Sequence, residues 1–219
     1  MRIAIASGKG GAGKTTVTAS LASVWEGPFI AVDADVEAPN LHLFLPPRLE
    51  GTETVGLEVP ILGIPSFAHA AGLPRHLPLQ GYSAQFASRL TIFPDMCHGC
   101  GGCAVCPSGA LTPGSRELGV LEEGTVLEGR ERPLLGGRTR IGEAMTPPLL
   151  RALGRRLEGM LTRPPADVLL DSPPGVSCPA MTVARDADAV LFVADPTPFG
   201  FHDFRLAHQA YGLRACPWP

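Results

Sequence analysis

Short apolar runs alternate with segments of helical period in both end regions of the chain. The apolar runs predict buried parallel strands at residues 2–6, 28–33, 164–171 and 188–195. The helical spacing predicts helices at residues 15–25, 147–162, 178–186 and 200–211. Strands that alternate with helices indicate a parallel sheet with right-handed crossovers. We therefore predict an α/β fold with a Rossmann-like, three-layer architecture.

The middle of the chain has a different character. Residues 46–95 are rich in Pro, Gly and Ala and show no clear period, and residues 116–142 resemble short antiparallel strands joined by Gly turns. We interpret residues 55–140 as an insert. The α/β domain would then consist of residues 1–54 and 141–219.

Composition narrows the classes of function. Of the 219 residues, 45% are hydrophobic and 18% are charged, and the net charge is −3. A basic surface for nucleic acid is therefore not expected. No apolar run reaches the roughly 20 residues of a membrane span, and the N-terminus does not resemble a signal peptide. These features predict a cytoplasmic protein that binds neither nucleic acid nor membrane.

A glycine-rich loop joins the first predicted strand to the first helix. Residues 8–15 (GKGGAGKT) fit the pattern G-x-x-x-x-G-K-[S/T]. Gly8, Gly10, Gly11 and Gly13 would let backbone N–H groups face phosphates at a helix N-terminus. We expect Lys14 to reach the β- and γ-phosphates, the Thr15 hydroxyl to ligate Mg²⁺, and Thr16 to contact the α-phosphate. The only lysines of the chain, Lys9 and Lys14, lie in this loop, which favours a flexible point charge there.

Three acidic residues follow predicted strands. Asp33 and Asp35 end the second strand. Because they are two residues apart, their side chains lie on the same face of an extended chain. Asp171 ends the third strand and precedes Ser-Pro-Pro-Gly, which suits a switch segment that responds to the γ-phosphate. We expect Asp35 to position the attacking water, Asp33 to support it or the magnesium shell, and Asp171 to lie in that outer shell. Capping of loops is the alternative role.

Four cysteines fall within ten residues, at 97–106 (CHGCGGCAVC). The spacing is close to the ferredoxin run C-x₂-C-x₂-C-x₃-C-P, with a last gap shorter by one residue. Cys97, Cys100, Cys103 and Cys106 are thus predicted ligands of one [4Fe–4S] cluster. Zinc, or no metal at all, stays an alternative, although zinc sites usually separate two C-x-x-C pairs more widely.

The form KGGAGKTT at residues 9–16 resembles the deviant Walker A loop of the MinD, ParA, Mrp and nitrogenase iron protein group. The resemblance implies that Lys9 crosses a dimer interface to the partner's nucleotide, and that ATP bridges a homodimer. With residues 33–41 (DADVEAPNL), the cysteine run, 171–179 (DSPPGVSCP) and 196–203 (PTPFGFHD), the chain resembles MinD-superfamily P-loop ATPases with an inserted ferredoxin domain.

This resemblance implies a magnesium-dependent ATPase that couples nucleotide state to electron transfer or to iron–sulfur cluster handling, with a redox or iron–sulfur client. A MinD- or ParA-type positioning ATPase is one alternative. Because residues 212–219 do not read as the next strand of the family, a truncated product with little activity is another. Cys178 is either a ligand at the dimer interface, by analogy with the iron protein, or a small buried residue. Cys216 has no assigned role.

Overall fold

The computed structural model of the protein describes residues 1–62, 83–86, 89–105, 111–126, 131–161 and 166–212. Their elements, in chain order, are β1 (Arg2–Ala6), α1 (Lys14–Val24), β2 (Phe29–Asp33), α2 (Leu41–Phe44), β3 (Pro47–Leu62), β4 (Ser83–Phe86), β5 (Arg89–Ile92), β6 (Leu111–Val126), β7 (Arg132–Thr139), α3 (Pro147–Met160), β8 (Asp167–Asp171), α4 (Cys178–Arg185), β9 (Ala189–Phe192) and α5 (Pro198–Gly212). Two 3₁₀ turns lie at Pro94–Met96 and Gly102–Val105.

A seven-stranded sheet has the order β3-β6-β7-β2-β8-β1-β9. The strands from β7 to β9 in this order are parallel, whereas β6 pairs antiparallel with β7. The predicted α/β fold with a mostly parallel sheet is therefore confirmed. Strands β4 and β5 form a separate antiparallel pair.

Strand alternation divides the core between the two faces of the sheet. Phe29 and Ala31 of β2 pack with residues of α1, whereas Ile30 and Val32 pack with the buried leucines of α3. Successive side chains of a strand point to opposite faces, so a run that is apolar throughout serves both helical layers. This is why β2 is buried at every position.

Two regions differ from the sequence predictions. The 16-residue strand β3 lies where no period was seen, because most of its side chains are exposed and alternation is lost. The predicted short strands at 116–142 are two longer strands, β6 and β7, and β7 pairs with β2 inside the main sheet.

The chain divides into two compact units. The first consists of residues 1–55 and 119–219, and the second of residues 56–118. The second unit ends at residue 118, whereas the predicted insert ends at residue 140, because β7 belongs to the main sheet. Cys106 and Cys216 lie outside the described residues. No helix in the described part of the chain is long and apolar enough to span a membrane.

Candidate nucleotide-binding site

The loop between β1 and α1 is shaped by backbone conformations that favour glycine. Gly11 has φ 75° and Gly13 has φ 97°, both in the left-handed region. A Cβ atom added at Gly10 or Gly11 would meet no atom within 4 Å, so these residues border open space. No side chain of the described residues caps the N-terminus of α1. Its first amides are therefore available to an anion.

Lys14 and Thr15 open α1 directly below this loop. Lys14 is only 6% exposed, and its positive charge opposes the rise that burial causes in the pKa of both Asp35 and Asp171. The Thr15 hydroxyl donates a hydrogen bond to Asp171 Oδ2 at 2.6 Å. Thr18, one turn later, is 3.5 Å from Asp171 Oδ1 and also donates to the Lys14 carbonyl at 3.0 Å. The start of α1 thus holds a buried cation beside a carboxylate.

Asp33 and Asp171 are direct partners in the register between β2 and β8. Both lie at the carboxyl ends of parallel strands, where α/β sheets bind ligands, and strand alternation turns both toward the α1 face. The pKa of Asp33 is raised to about 7, chiefly by burial and also by the neighbouring charge of Asp171, against a lowering by the hydrogen bond from the Leu41 amide. Burial raises the pKa of Asp171 to about 6, although the Thr15 hydrogen bond and Lys14 oppose this. Two buried carboxyl groups side by side suit a divalent cation.

Asp33 also organises the segment that follows β2. Its Oδ2 accepts a hydrogen bond from the Leu41 N–H at 2.9 Å, and its Oδ1 accepts one from the Asp35 N–H at 3.2 Å. Asp35 itself is half-buried, and burial raises its pKa while the charge of Lys14 lowers it. Asp33 therefore fixes the position of Asp35 next to the loop.

Lys9 has a partner within its own chain. Its Nζ lies 2.5 Å from Asp195 Oδ2, and Thr197 Oγ1 donates to the same oxygen at 3.1 Å. The second turn of α5 approaches the loop closely: a Cβ atom at Gly8 would lie 2.3 Å from the carbonyl carbon and oxygen of Asp203. The loop is thus clamped from the β9–α5 side.

The chain matches the family model described as "CobQ/CobB/MinD/ParA nucleotide binding domain" over residues 3–191. It belongs to the CobQ/CobB/MinD/ParA family. The matched range includes the glycine loop, the three strand-end acids and α4, so the family accounts for the site as a nucleotide-binding one.

Two relatives come from Methanocaldococcus jannaschii, and both are uncharacterized proteins. One is 31% identical over 208 residues, which cover 93% of this chain and 70% of the relative. The other is 27% identical over 207 residues, which cover 93% of this chain and 72% of the relative.

In this member of the family, the structure brings the predicted nucleotide residues of the first unit together. Gly8, Gly10, Gly11, Gly13, Lys14, Thr15, Asp33, Asp35 and Asp171 surround the loop mouth. Thr16 is exposed at the outer side of α1, where its carbonyl accepts from the Ser20 hydroxyl at 2.8 Å.

Further residues of the site were missed from the sequence. Thr18 and Asp195 contact the predicted residues, and Tyr211 of α5 donates to the Gly175 carbonyl in the predicted switch segment at 3.3 Å. Thr18 lies one helical turn after Lys14, so its place beside the site could have been predicted from the sequence. No local sequence pattern predicts the contacts made from α5. A cavity of about 560 Å³ also opens beside Asp33, lined by His42, Pro39, Glu122 and Arg138, among others.

The cysteine run lies in the second unit. Cys97 is 3% exposed and packs with the half-buried Cys103 against Val59 and Leu111. Burial raises the pKa of Cys103, and the charges of Cys97 and Cys100 raise it further. Within the described residues no group of three or more His, Cys, Asp or Glu side chains is arranged to hold a metal ion. The predicted fourth ligand, Cys106, lies outside the described residues, so the cluster stays a prediction.

Cys178 begins α4 and is exposed. The interpretation of Cys178 as a small buried residue is therefore wrong, because Cys178 is exposed in the first turn of α4. Its role as an interface ligand stays a prediction.

Proposed function

We propose that the protein binds ATP with magnesium and hydrolyses the nucleotide. The observation that carries the proposal is the arrangement of Lys14 and Thr15, which begin α1 under an open glycine loop and face the buried carboxyl of Asp171. A phosphate chain in this loop would receive backbone N–H groups and the charge of Lys14. A magnesium ion supplies charge neutralisation and orients the phosphate oxygens when bound.

In this proposal each side chain has a distinct task. Thr15 would exchange its hydrogen bond to Asp171 for the cation, and Asp171 would hold the hydration shell of that cation. Asp35 would orient the attacking water, since its amide is fixed by Asp33. A divalent cation held at this site would also favour the ionised form of the buried carboxyls, because its positive charge lies close to them.

A matched pair of substitutions at Thr15 tests the proposal. Thr15→Val keeps the shape of the side chain and removes the hydroxyl, whereas Thr15→Ser keeps the hydroxyl. We expect Thr15→Val to lose the magnesium-dependent part of ATP affinity and turnover, and Thr15→Ser to keep both. Equal ATP affinity and turnover in the two variants, or wild-type turnover in Lys14→Ala, would contradict the assignment.

We further propose that ATP bridges a homodimer in which Lys9 leaves Asp195 and reaches the partner's nucleotide. The support is the family membership and the partly exposed position of Lys9, whose side chain is 36% exposed. Analytical ultracentrifugation with a slowly hydrolysed ATP analogue measures this. Lys9→Ala should abolish the nucleotide-dependent dimer and keep monomer stability.

The cysteine run is the basis of a second proposal, that the protein couples its nucleotide state to electron transfer or to cluster handling through one [4Fe–4S] cluster. Left-handed glycines support it, because Gly99 (φ 65°) and Gly101 (φ 74°) turn the chain around the thiols, and the Gly99 N–H donates to Cys97 Sγ at 3.4 Å. Cys106 would be the fourth ligand. A redox or iron–sulfur client is the partner that this activity requires.

Anaerobic reconstitution with iron and sulfide tests the cluster. We expect a broad absorption band near ~400 nm and about four irons per chain. Cys100→Ala should lose both, and Cys178→Ala, which changes an exposed thiol outside the run, should keep both. Stoichiometric zinc without iron would contradict the cluster and indicate a structural zinc site instead. A positioning ATPase would instead show ATP-dependent co-sedimentation with lipid or DNA.

A further inference from the structure

A second cavity, of about 310 Å³, lies between α3 and α4 on the sheet face opposite to α1. Its floor and walls include Val32 and Ala34 of the β2 region, Leu170 of β8 and Leu153 of α3. Because strand side chains alternate, these strand positions are the opposite-face neighbours of Asp33 and Asp171. The cavity is therefore separate from the nucleotide site, with the thickness of the sheet between them.

The rim of this cavity is rich in arginine. Four guanidinium groups, those of Arg2, Arg151, Arg155 and Arg185, line it together with two carboxylates, Glu158 and Asp186.

The two carboxylates are already engaged with two of these cations. Arg2 pairs with Glu158 at 2.7 Å and Arg185 pairs with Asp186 at 3.4 Å. Among the described residues, neither Arg151 nor Arg155 has an ion-pair partner, and the two lie four residues apart on α3, one helical turn. The charge left at the rim is positive.

We propose that this cavity binds a small amphipathic anion, with its apolar chain against the leucine-lined floor and its carboxylate at Arg151 and Arg155. The volume lies at the lower end of the range of about 300–1,000 Å³ for small-molecule sites, which favours a single short chain. An apolar wall with a few convergent polar groups is the composition of such sites. Charge at the rim selects an anion, since guanidinium groups form paired hydrogen bonds with carboxylates.

Binding of the anion in this cavity does not require ATP, because no residue of the glycine loop lines the cavity. Decanoate is the probe, and isothermal titration calorimetry without nucleotide is the measurement. For a ligand of this size we expect a Kd on the order of 0.1 mM. The absence of saturable binding up to several-fold that concentration would overturn the proposal.

Two glycines of α3 provide a matched pair that fills or spares the cavity. Gly154 lines it, and a Cβ atom built there meets nothing within 4 Å, so Gly154→Leu enters the space without a backbone clash. Gly159 also has open space around its Cβ but does not line the cavity. Both substitutions raise helix propensity, so both variants should fold. Decanoate affinity should fall at least tenfold in Gly154→Leu and stay unchanged in Gly159→Leu; equal affinities in both would refute the site.

Two double variants test the role of the positive charge at the rim. The double variant Arg151→Gln/Arg155→Gln should weaken decanoate about tenfold, the scale of one hydrogen bond to a charged group. Arg48→Gln/Arg156→Gln removes the same net charge from residues outside the cavity and should leave affinity within about twofold. Neutral 1-decanol should bind more weakly than decanoate to the wild type. Equal binding of the two probes would refute the anion selectivity.

Discussion

The buried carboxyl of Asp171 should make the nucleotide-free protein less stable than its neutral analogue. Asp171 is 1% exposed, and burial raises its pKa from 3.8 to about 6. This rise of roughly two pKa units corresponds to roughly 3 kcal/mol at about 1.4 kcal/mol per unit. Because the folded-state pKa is raised, the ionised form opposes folding: the cost is absent below the unfolded-state pKa and complete above the folded-state pKa.

Asp171→Asn removes the charge and keeps an amide oxygen that can accept from the Thr15 hydroxyl. We expect the variant to gain up to about 3 kcal/mol in free energy of unfolding at pH 8, and the gain to shrink toward zero as the pH falls to 4. Urea unfolding followed by circular dichroism at several pH values, without nucleotide, measures this difference. Magnesium-dependent ATP affinity should fall in the same variant.

The control is Asp186→Asn, which makes the same chemical change at an exposed ion pair and should alter stability by less than about 0.5 kcal/mol. A loss of stability in Asp171→Asn at pH 8 would refute the reasoning, because it would mean that the carboxylate stabilises the empty site. A gain that is independent of pH would refute the titration argument alone.

Four further substitutions test contacts in and around the site. Gly8→Ala should cost about 1–3 kcal/mol in urea unfolding, since its Cβ meets the α5 backbone, whereas Gly10→Ala should stay within about 0.5 kcal/mol because it faces open space. Asp195→Ala should change stability little and increase nucleotide-dependent dimerisation in ultracentrifugation, because the Lys9–Asp195 ion pair is partly exposed and its loss releases Lys9; unchanged dimerisation would contradict the clamp. Ser172→Ala should not lower stability, as the fully buried Ser172 hydroxyl has no hydrogen-bond partner among the described residues; a loss above about 1 kcal/mol would reveal one.

Much of the fold of the first unit was predictable from local patterns. A strand buried on both faces leaves an uninterrupted apolar run, as in β2 and β8, and the glycine loop has a fixed spacing before Lys14. Acidic residues at the ends of such runs meet at one edge of a parallel sheet, which is why Asp33 and Asp171 could be placed together before the register was known.

Other features depend on contacts that no local pattern encodes. The strand β3 is mostly exposed, so its sequence lacks the alternation of apolar and polar residues that indicates a strand. Strand β7 could be predicted as a strand from its sequence, but its pairing with β2 could not, because that pairing depends on the path of the whole chain. The contact between Lys9 and Asp195 spans 186 residues, and only the return of the chain along β9 brings the two side chains together.

The cavity between α3 and α4 shows how one strand pattern carries two kinds of site. The alternation that turns Asp33 and Asp171 toward α1 turns Val32, Ala34 and Leu170 toward α3 and α4. The polar face could be predicted because carboxylates at strand ends are rare and informative. The apolar face has the sequence pattern of an ordinary core, so the cavity could not be predicted. Leucines that line a cavity and leucines that are packed on all sides recur with the same helical period. What distinguishes them is the absence of a side chain at Gly154, together with the arginines that α3 places at the rim.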